Sequence, residues 1–158
     1  IEELYRAYAP DVHRFAYWLC GDREEADDIV AETFVRAWAG ADDLVAATVK
    51  AYLLTIARNL YLRRRRRAMR QTGLDPALPD PGADPSRRAE QQEEVDGVLR
   101  GLAALPETDR AALLMRVEEL PYEEIARALG ITQTAARVKV HRARVRLARG
   151  RDGHGGDR

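Results

Sequence analysis

The sequence predicts an all-α protein of two small helical domains joined by an acidic flexible linker, the second domain ending in a helix-turn-helix. Three observations support this fold class. Apolar residues recur at helical spacing along most of the chain. Residues 71–85 are rich in proline, glycine and aspartate. Nine of the ten aromatic residues lie at or before Tyr61, which indicates a separate core for the first half.

These patterns divide the 158 residues into four parts. We predict a first domain over residues 1–70, the linker over 71–85, a second domain over 86–151 and a disordered tail over 152–158. The linker has too few large apolar residues to offset the entropy lost on ordering it.

Charge is sorted along the chain although the net charge is zero, with 26 basic and 26 acidic residues. Acids are absent from residues 44–74 and from 125–151, and both ranges are rich in arginine. Two separated basic regions predict two contacts with a polyanion. The single cysteine, Cys20, excludes an internal disulfide and is predicted to be a buried, unreactive thiol. No apolar run is long enough for membrane insertion, so we expect a cytoplasmic protein.

Two helices begin the first domain, one over about Glu2 to Cys20 and one over about Arg23 to Trp38, separated by Gly21 and Asp22. Helical spacing predicts that the first helix buries Leu4, Tyr8, Val12, Phe15 and Leu19. The second is predicted to bury Ala26, Ile29, Val30, Thr33, Phe34, Ala37 and Trp38. Its opposite face carries Asp28, Glu32 and Val35, and this face is either a partner surface or a solvated charged surface.

A third long helix is predicted over about Val49 to Arg70, with Val49, Leu53, Ile56, Ala57 and Leu60 facing inward. Another arc of this helix carries Tyr52, Thr55, Asn59, Arg63 and Arg66. Aromatic, hydroxyl, amide and guanidinium groups in one row suit stacking on bases and binding of phosphates. The alternative is that Tyr52 lies at the edge of the core and that the arginines form a solvated helix end.

The second domain is predicted to contain four helices. The first, capped by Ser86, runs to about Ala104 and places Val95, Val98, Leu99 and Leu102 inward. The second runs from Pro106 to about Glu119, with Leu113, Leu114 and Val117 inward. Residues 121–149 then form the helix-turn-helix.

The turn is predicted from Gly130, which can adopt the left-handed conformation, and Thr132, which can cap the next helix. The last helix has an apolar stripe of Ala136, Val140, Ala143 and Leu147 and a basic remainder. A helix of this kind suits a DNA major groove, and the alternatives are a helix that binds a membrane surface, one that binds an acidic partner, or one that is simply solvated.

Four segments together resemble a known family, the extracytoplasmic-function (ECF) sigma factors of bacteria. Residues 25–38, EADDIVAETFVRAW, resemble its region 2.2 helix, and residues 51–67, AYLLTIARNLYLRRRRR, resemble regions 2.3 and 2.4. Residues 105–131 and 132–149 resemble region 4. The chain departs from the family pattern at Val138 and Lys139, where a serine-arginine pair is common.

The resemblance implies a transcription initiation factor that is not an enzyme, needs no metal or other cofactor, and binds core RNA polymerase and promoter DNA. Contacts to the polymerase would involve the clamp helices of the largest subunit and the flap of the second-largest subunit. An anti-sigma factor is a further expected partner.

The resemblance also assigns three groups of residues. The polymerase-binding group is Asp27, Asp28, Glu32, Val35 and Arg36. The group for the minus-ten promoter element is Tyr52, Thr55, Arg58, Asn59, Arg63 and Arg66, with the loop 39–48 holding a flipped base. The group for the minus-thirty-five element is Thr132, Gln133, Thr134, Arg137, Lys139, Arg142 and Arg144.

Two other functions fit part of the sequence. A helix-turn-helix regulator acting without polymerase would explain residues 105–149 but would give no use to the acidic helix or the first basic region. A metal-dependent nuclease would need Asp27, Asp28 and Glu32 as ligands, but the three histidines are scattered along the chain.

Overall fold

The computed structural model describes residues 2–40, 48–74, 78 and 89–155, with side chains described for all of these except 89, 90 and 151–155. Over these ranges the chain forms seven α-helices and no strand, which confirms the all-α prediction. The helices are α1 (Glu2–Cys20), α2 (Arg23–Ala39), α3 (Val49–Thr72), α4 (Ala89–Ala103), α5 (Glu107–Val117), α6 (Tyr122–Leu129) and α7 (Gln133–Gly155). Within the described ranges, no helix is both long and apolar enough to span a membrane.

The first domain consists of α1, α2 and α3, which pack against one another. Gly21 has a positive φ of 76° between α1 and α2. Asp22 caps α2 by accepting a hydrogen bond from the backbone N–H of Glu25 at 3.1 Å. Thr48 caps α3 in the same way, accepting from the N–H of Ala51. These caps satisfy backbone donors that have no partner inside a helix.

The predicted core of the first domain is largely confirmed. Val12, Phe15, Leu19, Leu53 and Ala57 are buried. Cys20 is also buried, and burial raises the pKa of its thiol to about 12. A thiol with so high a pKa carries almost no thiolate at neutral pH, which agrees with the predicted unreactive cysteine.

Three residues predicted to face inward are exposed instead. Trp38 is 67% exposed, Val117 is 59% exposed and Val98 is 37% exposed. Each lies at the edge of an apolar arc: Trp38 follows the buried Ala37, Val98 precedes the buried Leu99, and Val117 is the last residue of α5. Helical spacing places such residues near a core, but neighbouring helices must cover them to bury them.

Two predicted boundaries also change. Helix α3 runs on to Thr72 and ends at Gly73, whose φ of 71° is left-handed. Helix α7 continues to Gly155, so residues 152–155 are helical where the sequence predicted a disordered tail. Most of the linker prediction, residues 75–77 and 79–85, lies outside the described residues, as do Ser86 and residues 41–47 of the predicted base-holding loop.

The two predicted domains pack on each other, with α5 and α4 against α1 and α6 against α3. Their buried residues form one apolar cluster, so the separate core that the sequence indicated for the first half is not what the structure has. Helix α5 also packs against α7. Two carboxylates at opposite ends of α5 form the ion pairs between domains. Glu107 accepts two hydrogen bonds of 2.7 Å from the guanidinium of Arg58 on α3. Glu118, just beyond α5, accepts bonds of 2.8 and 2.6 Å from Arg14 on α1. Both pairs are bidentate, the geometry that favours arginine over lysine.

Arg110 lies between these pairs and is only 2% exposed. Its guanidinium donates to the hydroxyl of Tyr61 on α3 at 3.0 Å and to the carbonyl oxygens of Leu102 and Leu105. Burial lowers the pKa of this guanidinium below its ordinary value. Acceptors at Nη1 and Nη2 offset part of the cost of burying this cation, while its Nε has no hydrogen-bond partner among the described residues. The bond to Tyr61 joins the two domains.

Within the second domain, Asp109 is a buried ionic group that connects α5 with α7. Its side chain is 1% exposed, and it accepts two bonds from Arg142 on α7, at 2.8 and 3.0 Å. Lys139 Nζ lies 3.4 Å from the same carboxylate. Burial alone would raise the pKa of Asp109, but the bonds and charges of Arg142 and Lys139 outweigh it and hold the pKa below its ordinary value of 3.8.

We expect Tyr61→Phe to lower the free energy of unfolding by about 1–3 kcal/mol, because it leaves Nη2 of the buried Arg110 guanidinium without its acceptor. Thermal denaturation followed by circular dichroism measures the change. Tyr5→Phe is the matched control, since Tyr5 is 48% exposed, and should change stability by less than ~0.5 kcal/mol. Equal effects of the two substitutions would contradict the role of Tyr61.

Because the pKa of Asp109 is depressed in the folded state, its contribution to stability is present above the unfolded pKa and is lost as pH falls through the folded pKa. Asp109→Asn should therefore cost about 1–3 kcal/mol at pH 7. The difference from wild type should shrink as urea denaturation is repeated at pH values below about 4. Glu123→Gln, which alters an exposed pair with Arg127, is the control with little effect. A difference independent of pH would contradict the assignment.

Candidate interfaces for DNA and protein

The outer face of α2 carries the predicted acidic residues, and the structure places them together at the surface. Asp28 and Asp27 are exposed, and Glu32 is half-buried. Arg36 donates to Glu32 at 3.1 Å, and Asp27 lies 2.9 Å from Nε2 of His13. Arg64 of α3 lies 3.9 Å from Asp28 and 4.0 Å from Glu32. The sequence analysis did not predict this cation beside the acidic residues.

Two large apolar side chains extend the acidic face toward the end of α2. Val35 is 64% exposed and Trp38 is 67% exposed. They are three positions apart, and residues at this spacing are neighbours on a helix surface. An exposed tryptophan beside an exposed valine is unusual for a solvated face and typical of a protein-binding surface. Trp38 was missed as a site residue because helical spacing assigned it to the core.

The residues of the row on α3 lie at the surface or at the edge of the core. Asn59, Arg63 and Arg66 are exposed, and Tyr52 and Thr55 are half-buried. The hydroxyl of Tyr52 donates to the carbonyl oxygen of Gly40 at 2.9 Å, and that of Thr55 donates to the carbonyl of Ala51. Tyr52 therefore lies at the place where the chain leaves α2, half-buried against the core.

Arg58 does not join this row. At ~100° per residue it lies roughly 100° around α3 from Asn59, on the side that faces α5. Its side chain is 11% exposed and is paired with Glu107. In this arrangement of the two domains, the second domain covers the Arg58 side of α3 and leaves the row of Asn59, Arg63 and Arg66 open.

The turn between α6 and α7 has the predicted geometry. Gly130 is left-handed, with φ 67° and ψ 36°, and its N–H reaches the carbonyl oxygens of Ala126 and Arg127. Thr132 accepts a hydrogen bond from the N–H of Ala135 at 3.0 Å and so caps α7. Pro121 precedes α6 without a side-chain capping bond. The apolar stripe is confirmed at Ala136, Val140 and Ala143, which are buried.

The polar residues of α7 fall into two groups. Gln133, Thr134, Arg137 and Arg144 are exposed, as expected for residues that contact DNA. Lys139 and Arg142 are also accessible in part, with side-chain exposures of 21% and 45%, but both are bound to Asp109. The sequence could not show this pairing because Asp109 lies 30 residues before Lys139.

Arg137 on α7 contacts the aromatic ring of Tyr122, the first residue of α6. Its guanidinium carbon lies 4.4 Å from the centre of the Tyr122 ring, and that of Arg116 lies 4.9 Å from the same ring. Contacts of this length are favourable cation–π interactions.

Among the described residues, histidine, cysteine, aspartate and glutamate do not form a group of three that could hold a metal ion.

Comparison with known proteins agrees with this geometry. Residues 4–71 match the family model of Sigma-70 region 2, and residues 96–147 match that of Sigma-70, region 4. The chain is 30% identical over 150 residues to the ECF RNA polymerase sigma factor SigM of Bacillus subtilis, covering 93% of this chain and 92% of SigM. It is 33% identical over 156 residues to SigE of Mycolicibacterium smegmatis, covering 92% of this chain but only 59% of that longer relative.

Two solved structures share the fold at 23% sequence identity. One is the sigma factor RpoE in complex with the anti-sigma factor NepR from Bartonella quintana, with a TM-score of 0.75 over 96% of this chain and 98% of that one. The other is CnrH in complex with the cytosolic domain of CnrY, with a TM-score of 0.72 over 96% and 87%. The chain contains both Sigma-70 regions, and it aligns with the B. subtilis relative over nearly the full length of both proteins. The chain therefore belongs to the ECF RNA polymerase sigma factors, a family of transcription initiation factors.

Proposed function

We propose that the chain initiates transcription in the cytoplasm by docking core RNA polymerase through α2, opening the minus-ten element with α3 and binding the minus-thirty-five element with α7. The single observation that carries this proposal is the presence of three separate surfaces on one chain: acidic on α2, basic and aromatic on α3, and basic on α7. A free-standing helix-turn-helix regulator would need only the last of these.

For docking, the surface on α2 combines Asp28, Glu32, Val35 and Trp38, with Asp27 and Arg36 at its border. Acids steer a basic partner surface and select against an acidic one. The adjoining valine and tryptophan supply apolar area that becomes buried on binding, and tryptophan is frequent among residues that dominate binding energy. We assign this surface to the clamp helices of the largest polymerase subunit, and an exposed part of the second domain to the flap of the second-largest subunit.

For promoter opening, the row on α3 supplies a ring and polar groups beside a positive helix end. Tyr52 would stack on an unpaired base, while Asn59, Arg63 and Arg66 would contact the strand beside it. Arg58 can join them only after its pair with Glu107 is broken. Binding of the two promoter elements would therefore require the domains to separate at the α3–α5 contact.

An anti-sigma factor is the further partner that we propose. One of the two structural relatives is a sigma factor in complex with the anti-sigma factor NepR, and the other is CnrH in complex with the cytosolic domain of CnrY. The α2 surface is open in this chain, so a partner that covers it would compete with polymerase.

The docking proposal predicts that Asp28→Arg combined with Glu32→Arg reduces core polymerase binding by at least tenfold, because two attractive charges become repulsive. Fluorescence anisotropy with labelled sigma factor and core polymerase measures the affinity. Glu93→Arg combined with Glu94→Arg is the matched control, since these exposed acids of α4 give the same change of net charge. A similar loss in both variants would show that only net charge matters.

The opening proposal predicts different results for two substitutions of Tyr52. Tyr52→Ala removes the ring and should impair promoter opening more than closed-complex binding. Tyr52→Phe keeps the ring and loses only the bond to Gly40, so opening should remain near the wild-type level. Permanganate footprinting of unpaired thymines reports opening, and gel shift at low temperature reports the closed complex. Equal defects in both assays for Tyr52→Ala would contradict a role in opening.

A further inference from the structure

Val138 is an exposed apolar residue at the centre of the outer face of α7. It is 52% exposed, and it is not among the apolar side chains that pack against the core. At ~100° per residue it points roughly 170° away from the mean direction of Ala136, Val140, Ala143 and Leu147. The valine is thus directed straight away from the domain, where a polar residue is the usual occupant.

The basic residues of α7 lie on either side of this valine. Arg137 is roughly 100° around the helix in one direction, and Lys139 is roughly 100° around in the other. Tyr122 holds Arg137 on its side, and Asp109 holds Lys139 and Arg142 on the opposite side. The protein therefore restrains Arg137 on one side of Val138 and restrains Lys139 and Arg142 on the other.

This arrangement matches a major groove, whose two phosphate walls flank a floor of base edges. Residues 125–151 contain no acid, so the whole surface is complementary to a polyanion. At the floor of the groove, thymine is the base that presents a methyl group, while the other bases present hydrogen-bonding groups that valine cannot satisfy.

We infer that Val138 is a specificity-determining residue of the minus-thirty-five contact and that it packs against the 5-methyl group of a thymine. This inference rests on the proposed function of α7 and specifies which of its residues contact bases and which contact phosphates. The centre of the helix, at Val138 with Thr134 one turn before it, contacts base edges, while Arg137, Lys139 and Arg142 contact phosphates.

The experiment uses holoenzyme assembled from core polymerase and the full chain. Run-off transcription from a promoter library with a randomised upstream element first selects a functional minus-thirty-five sequence. Each thymine in that element is then replaced by deoxyuridine, which lacks only the methyl group. Competition binding compares wild type with Val138→Ala, and Val117→Ala serves as the control because Val117 is an exposed valine on α5 and not on α7.

We expect one deoxyuridine to weaken wild-type binding about fourfold, the effect of losing one buried methyl-sized group. With Val138→Ala the same replacement should have no effect, whereas with Val117→Ala it should behave as in wild type. If wild-type holoenzyme tolerates every deoxyuridine, or if the sensitivity persists in Val138→Ala, the inference is overturned. If the library yields no upstream element at all, the proposed function of α7 fails instead, so the two failures are distinguishable.

Discussion

The pairing of charges along α5 is the interaction on which the rest of the structure depends. In this helix of eleven residues and the residue after it, four ionic groups form ion pairs or side-chain hydrogen bonds with other helices: Glu107, Asp109, Arg110 and Glu118. Glu107 and Arg110 bind residues of α3. Asp109 binds α7 and Glu118 binds α1, so this segment fixes the positions of α1, α3 and α7 at once. Removing one member of such a pair leaves a desolvated charge without its partner, which is why these contacts specify one arrangement of the helices.

The same pairs set a condition on function. Ion pairs that are bidentate and largely shielded keep their geometry, but they gain little net free energy because desolvation offsets much of the attraction. The ionic part of the contact between the domains therefore contributes more to specificity than to strength. A partner such as polymerase can replace it at modest cost if its own contacts with α2 exceed that cost. Arg58, paired with Glu107 here, would be released for DNA by the same separation.

The sequence was sufficient for the features that depend on local chemistry. The caps at Asp22 and Thr132 and the left-handed Gly130 follow from residue type, and the all-α fold follows from helical spacing. Contacts between distant segments were not predictable. Nothing in the sequence pattern connects Asp109 with Arg142, which it binds in the structure. Nor does the sequence indicate that Gly101 packs against Leu147, where a Cβ added at Gly101 would lie 2.7 Å from a methyl carbon of Leu147. Trp38 was misplaced because spacing describes a face of one helix and not what covers it.

The roles of α7 residues show why both kinds of information are needed. From residue type alone, arginine and lysine are the natural candidates to recognise bases and valine is a candidate for the core. The structure gives Arg137 an aromatic neighbour and gives Lys139 and Arg142 a buried carboxylate, so these side chains lose less conformational entropy when they meet phosphates. Cations restrained in this way strengthen binding to any sequence, since phosphates carry no sequence information. Selectivity must then come from the groups left at the centre of the face, and there the chain presents a methyl-bearing threonine and a valine.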